Sequence, residues 1–276
     1  MRRAALACAY VGAACLALAF LLLPVVAIFV HTSPDRLLDQ LSNPVVRDAF
    51  VVSIKTSVEA QLLILVFGTP TAYLLASRRF IGHSAAVTLV ELPLVLPPAV
   101  AGVGLLVAFG RFGLLGSSFH ALGFSLPFTQ AAVTVAVAYV ASPLYIRQAI
   151  AAFEATDPNL AAASRTLGAG PARTFFRVVL PLARGGLIAG LALSFARGLG
   201  EFGATIMFAG SLQGRTQTLP LAIYAEFAQN FDATLAMSGI LVLISAALLL
   251  TLRIALVWQG SPSTGSRSLF GLSTSR

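Results

Sequence analysis

Hydrophobic positions along the chain gather into six long blocks, at about residues 5–30, 50–76, 85–109, 129–150, 185–208 and 233–258. Each block exceeds the roughly 18–20 apolar residues that carry an α-helix across about 30 Å of hydrocarbon. The pattern predicts an all-α integral membrane protein of about six transmembrane helices, with residues 1–47 holding the first span and its following loop. Two blocks are interrupted. Pro93, Pro97 and Pro98 break the third, and Gly198, Gly200 and Gly203 loosen the fifth around Glu201. Broken helices at membrane depth occur where they line a cavity or pack on protein. Pro93, Pro97, Pro98, Arg197, Gly200, Glu201 and Gly203 are therefore candidate pathway or hinge residues, with close helix packing through small residues as the alternative.

Between the fourth and fifth blocks lies a polar stretch, Ala151 to Arg184, with its own internal order. Asp157 is suited to cap a helix N-terminus, and Pro158 fits the first helical position, where a missing N–H is harmless. Alanine-rich sequence follows to Leu167, where Gly168 ends the helix, with Gly170 and Pro171 just beyond. A second short helix is expected from Pro171 to near Pro181. A helix this small buries no core of its own, so it is expected to dock on something else.

Composition agrees with a membrane protein: 58% of residues are hydrophobic and only 10% charged. The net charge of +8 comes from arginines scattered through span-flanking loops, with no aromatic-interleaved basic patch, so no nucleic-acid partner is expected. Arg2, Arg3, Arg78, Arg79, Arg147, Arg165, Arg173, Arg177, Arg184, Arg267 and Arg276 fall on one side of a six-span topology. Only Arg36, Arg47, Arg111 and Arg215 fall on the other. The positive-inside rule then puts both termini and the polar stretch in the cytoplasm, with the first span uncleaved. The tail at 259–276, rich in Ser and Gly, reads as disordered. Cys8 and Cys15 share one apolar run and suggest neither a disulfide framework nor a metal site.

Catalytic patterns are missing. The single lysine, Lys55, precedes Thr56, but Ala49 and Ile54 occupy the glycine positions of a phosphate-binding loop. His31, His83 and His120 are scattered, and no H-E-x-x-H or G-x-S-x-G occurs. An energy-requiring process would have to draw on a partner or an ion gradient. Ionisable residues within spans are costly, about 2.5–3.5 kcal/mol at mid-bilayer. Lys55 with Glu59, and Arg197 with Glu201, each lie four apart and can neutralise one another on one helix face. Arg197 and Glu201 either form such a pair or line an ion's route. Glu91 has no partner nearby in sequence.

The polar stretch resembles the cytoplasmic-loop signature of ABC importer permeases, E-A-A-x3-G-x9-I-x-L-P. Aligned on Gly168, the pattern falls on Ala162, Ala163 and Ser164, then Gly168, Val178, Leu180 and Pro181. Ala162 stands where a glutamate is usual. The resemblance covers about residues 48–258, a type I ABC importer transmembrane domain with its coupling loop at 151–184. Leu92 to Leu106 (LPLVLPPAVAGVGLL) and Gly200 to Tyr224 (GEFGATIMFAGSLQGRTQTLPLAIY) are similar to molybdate permeases, with sulfate and tungstate permeases as close relatives.

The resemblance implies a multi-pass subunit of the cell membrane that pairs with a second copy of itself. It also implies a cytoplasmic ABC ATPase dimer and an extracytoplasmic molybdate-binding protein as partners, with membrane lipid around the spans. No cofactor is expected on this chain, and ATP and Mg would be used by the ATPase. The short helix would couple to that ATPase through Asp157, Leu160, Ala162, Ala163, Ser164, Arg165, Leu167, Gly168 and Pro181, with Leu160, Ala163 and Leu167 on one face. Selectivity is expected in the binding protein, leaving a low-affinity passage in the membrane. A gradient-driven secondary transporter is the rival reading, but it predicts inverted repeats, which are not apparent, and leaves the loop unexplained.

Overall fold

The computed structural model describes residues 2–31, 35, 39–121 and 123–259. Apart from Gln259, the tail expected at 259–276 lies outside these residues, as does Arg36. Five helices are long and apolar enough to span a membrane: α1 (Ala9–His31 within Arg2–His31), α2 (Pro44–Ser77), α6 (Gln130–Glu154), α8 (Pro171–Leu199) and α11 (Phe231–Thr251 within Phe231–Gln259). A sixth candidate is a bent pair, α3 (His83–Val95) and α4 (Pro98–Phe109), whose axes turn by 114°. Shorter helices are α5 (Gly116–Ala121), α7 (Pro158–Thr166), α9 (Gly203–Ala209) and α10 (Leu219–Glu226).

α6 is the central post, packing against α2, α3, α8 and α9. Three polar pairs tie α2 and the turn after it to α6 at a constant offset of 75 residues. Lys55 Nζ donates to Gln130 Oε1 at 2.8 Å, Thr134 Oγ1 donates to Glu59 Oε2 at 2.8 Å, and Arg79 meets Glu154 at 3.5 Å. A constant offset means that α2 and α6 run parallel and in register. The chain between them, α3 and α4 with the stretch that leads to α6, must therefore cross back once.

α8 runs antiparallel to α6: Gly186 faces Ala152, Gly190 faces Gln148, and Gly198 faces Val137. α11 starts beside α10 and the start of α2, where Val46, Ala49, Leu219, Ala222, Ala233 and Met237 form a small core. Two larger cores flank α6. One, around Val133, Val137, Leu105 and Phe208, lies toward its start; the other, around Tyr145, Phe153, Ala72 and Val179, lies toward its end.

The breaks follow from proline chemistry. Leu96 and Pro97 each precede a proline, which disfavours helical ψ, and both are extended (ψ 132° and 131°). Pro98 then opens α4 at a first-turn position, where its lost N–H is not missed. Two spans instead absorb their prolines. α2 carries a π-helical turn at Ile64–Gly68 just before Pro70, and α8 carries one at Phe175–Val179 just before Pro181. The widened turn makes room for a ring that would otherwise clash with the carbonyl four residues back. This corrects the expectation that the helix begun at Pro171 stops near Pro181: it continues unbroken to Leu199.

Candidate functional site

The first candidate is α7 and its caps. Asp157 Oδ1 accepts the Asn159 N–H at 2.9 Å, and Pro158 occupies the first turn, as the sequence suggests. At the other end Gly168 is left-handed (φ +83°). Its N–H donates to the Arg165 carbonyl at 2.9 Å, and the Ala169 N–H donates to the Ser164 carbonyl at 3.1 Å. These two bonds make a complete Schellman closure, which satisfies carbonyls that the helix end leaves open. The segment from 151 to 184 is thus the end of α6, α7 and the first half of α8.

α7 buries none of its residues. It leans on the start of α8 through Ser164 Oγ, 3.2 Å from Thr174 Oγ1, and Ala161 packs against the core beside Tyr145. Its outer side presents Leu160, Ala162, Ala163 and Arg165, and beyond them Leu167 is 89% exposed. Pro181 is not on this surface; it sits further along α8, after the π turn. Arg165 and Arg78 together line a cleft of about 320 Å³ with Tyr73, Ser77, Pro171 and Thr174. An exposed apolar ridge thus lies beside a basic cleft. Loss of the N-cap costs a helix about 1 kcal/mol. Asp157→Ala should therefore speed amide exchange across 159–162 about fivefold while leaving the spans protected, as measured by hydrogen exchange in detergent.

The second candidate is the broken end of α8. Arg197 Nη1 and Glu201 Oε2 lie 2.8 Å apart, and the glutamate side chain is only 1% exposed. Its other oxygen accepts the Ala204 N–H at 2.8 Å, so Glu201 also caps α9. The carboxylate is satisfied on both oxygens, and the pairing suggested by the four-residue spacing is present. Gly200 closes α8, while Gly203 and Gly102 allow α9 and α4 to approach. A Cβ at Gly203 would lie 2.8 Å from Pro98 Cβ, and one at Gly102 would lie 2.6 Å from the Ala204 carbonyl oxygen. Pro98, Glu201 and Gly203 thus meet at one junction of two broken helices, with Pro97 and Gly200 next to it in the chain. Pro93 lies a turn away inside α3.

Two features depart from what the sequence suggests. Lys55 and Glu59 do not pair with each other; each reaches across to α6 instead. Arg147, grouped with the loop arginines, lies inside α6, and its Nε is 3.1 Å from Glu91 Oε1 of α3. The alanine-rich continuation AIAAFE after Arg147 is the signal that the helix runs on to Glu154. The partner across space has no signal in one sequence. Among the described residues no group of three or more His, Cys, Asp or Glu could hold a metal ion.

This architecture is that of the membrane subunits of ABC importers. The crystal structure of a bacterial alginate ABC transporter in complex with an alginate pentasaccharide-bound periplasmic protein superposes with a TM-score of 0.67, covering 92% of this chain and 93% of that one. Identity there is 15%, so the likeness is one of fold. Residues 64–259 match the family model described as binding-protein-dependent transport system inner membrane component, and the chain belongs to that family. It is 40% identical over 231 residues to the molybdenum transport system permease protein ModB of Mycobacterium tuberculosis, covering 84% of this chain and 88% of that one. It is 43% identical over 177 residues to ModB of Escherichia coli K12, covering 64% of this chain and 77% of that one.

Proposed function

We propose that this chain is the permease of an ATP-driven oxyanion importer whose cargo is molybdate. The reading is carried by its 40% identity, over most of both chains, to a molybdenum permease. Two copies form the pathway, and an extracytoplasmic binding protein delivers the anion. The arginine-rich end bearing α7 faces the cytoplasm, following the positive-inside rule. There a separate ATPase dimer uses ATP and Mg, and this chain supplies no nucleotide site. α7 is the lever. As a capped helix held on the start of α8, it passes ATPase closure to a continuous span that ends at the Gly200–Gly203 junction. Such a lever biases the spans because its contacts differ between the two states.

Reconstitution of the chain with its ATPase and binding protein in proteoliposomes tests this. ATP hydrolysis and anion uptake should rise with molybdate-loaded binding protein and much less with sulfate-loaded protein. Stimulation by sulfate alone would reassign the cargo. Uptake that persists without ATP would overturn the ATP-driven reading.

A further inference from the structure

The Arg147–Glu91 pair has features that a simple structural ion pair does not need. Arg147 is seven residues before the end of α6, about 10 Å along its axis, and Glu91 is about 12 Å into α3 from His83 at 1.5 Å per residue. The flanking side chains Leu89, Leu92 and Val95 are apolar and exposed, as suits a membrane-embedded helix. Yet the arginine side chain is 60% exposed and the glutamate 38%. A guanidinium at such depth is costly in lipid, so charges there mark aqueous routes. Arg147 does not reach back to the bundle end, where Arg79 pairs with Glu154; it stays level with Glu91.

The geometry of the pair is the informative part. Glu91 engages Arg147 from the side, through Nε. Nη1 and Nη2 make no hydrogen bond to another described residue, so four N–H donors of a planar fork remain available. That fork matches two oxygens of a tetrahedral oxyanion. The adjacent carboxylate keeps the local charge near zero, so an anion is held briefly and released. A passage needs that balance, since a site that binds too well does not conduct.

Resting on the oxyanion-importer reading, we propose that Arg147 is a transient anion contact in the half of the pathway nearer α7. Its Nη1 and Nη2 take two oxygens of the cargo, and Glu91 is the positioning residue that holds the guanidinium and limits retention. The test uses the whole complex in proteoliposomes, with molybdate uptake, plus equilibrium dialysis of molybdate against the complex lacking binding protein. Arg147→Gln should lower uptake at least tenfold, the scale of lost charge-assisted hydrogen bonds. Arg147→Lys, which keeps a point charge without the fork, should recover only part. Glu91→Gln should have the opposite effect on dialysis, increasing retained molybdate several-fold while slowing turnover. Glu91→Gln with Arg147→Gln should keep the Arg147→Gln defect.

If the pair only braces α3 against α6, the two single variants will share one defect without added retention, and the neutral double variant will recover uptake. That result overturns the inference while the unsubstituted complex still imports molybdate. Failure of the unsubstituted complex to import any tetrahedral oxyanion overturns the functional reading and this inference with it.

Discussion

Gly168→Val should lower ATP-driven uptake at least tenfold while the protein still inserts and folds. A Cβ at this position meets nothing within 4 Å, so crowding is not the cause. The backbone is: φ is +83°, a region that costs an L-residue about 1–2 kcal/mol and a β-branched one more. Valine relieves that strain by abandoning the left-handed turn, which releases the bonds from Gly168 to Arg165 and from Ala169 to Ser164. The last turn of α7 then opens, and Leu167, 89% exposed and placed by that turn, loses its position beside the outer face of α7. Insertion survives because α7 contributes no buried residue. Gly168→Asn supplies the control, since asparagine tolerates the left-handed region. It should retain most uptake. Uptake at the unsubstituted rate in the valine variant would show that α7 does not transmit ATPase closure.

The parts of this molecule that local chemistry controls are legible in the amino-acid sequence. Asp157, Pro158 and Gly168 bound α7 because capping depends on residues within one turn of each other. The break at Leu96–Pro97–Pro98 and the loosening at Gly200 are likewise legible, since proline and glycine act on their own backbone. Features that depend on partners far along the chain are not. Pro70 and Pro181 mark where a π turn can form but do not announce one, since Pro93 and Pro143 sit inside helices that carry none. The four-residue rule holds for Arg197–Glu201, where both residues look into the same junction. It fails for Lys55 and Glu59, because Gln130 and Thr134 on the parallel helix offer each a nearer partner. Arg147 escapes for the same reason: its significance lies in Glu91, on another span, which no periodicity links to it.

Arg197→Ala should be among the most damaging single changes in the spans. It strands a carboxylate whose side chain is 1% exposed, with the Ala204 N–H as its one remaining partner. Breaking a buried ion pair from one side costs about 3–5 kcal/mol, because the other charge stays buried and uncompensated. Arg79→Ala is the matched comparison. Its pair with Glu154 spans 3.5 Å and is 75% and 44% exposed, and exposed pairs contribute about 0–1 kcal/mol. In detergent, the Arg197 variant should therefore show a clearly lower Tm and folded yield than the Arg79 variant. Adding Glu201→Gln to Arg197→Ala should restore most of the loss, because the amide oxygen can still accept from Ala204 and no charge remains to be neutralised. Uptake then separates two roles for the pair. A double variant that is stable and transports normally leaves Arg197 and Glu201 as a brace at the junction of α8, α9 and α4. A double variant that is stable but fails to transport makes the charges themselves part of the route. Equal and mild losses for Arg197→Ala and Arg79→Ala would refute the buried pair itself.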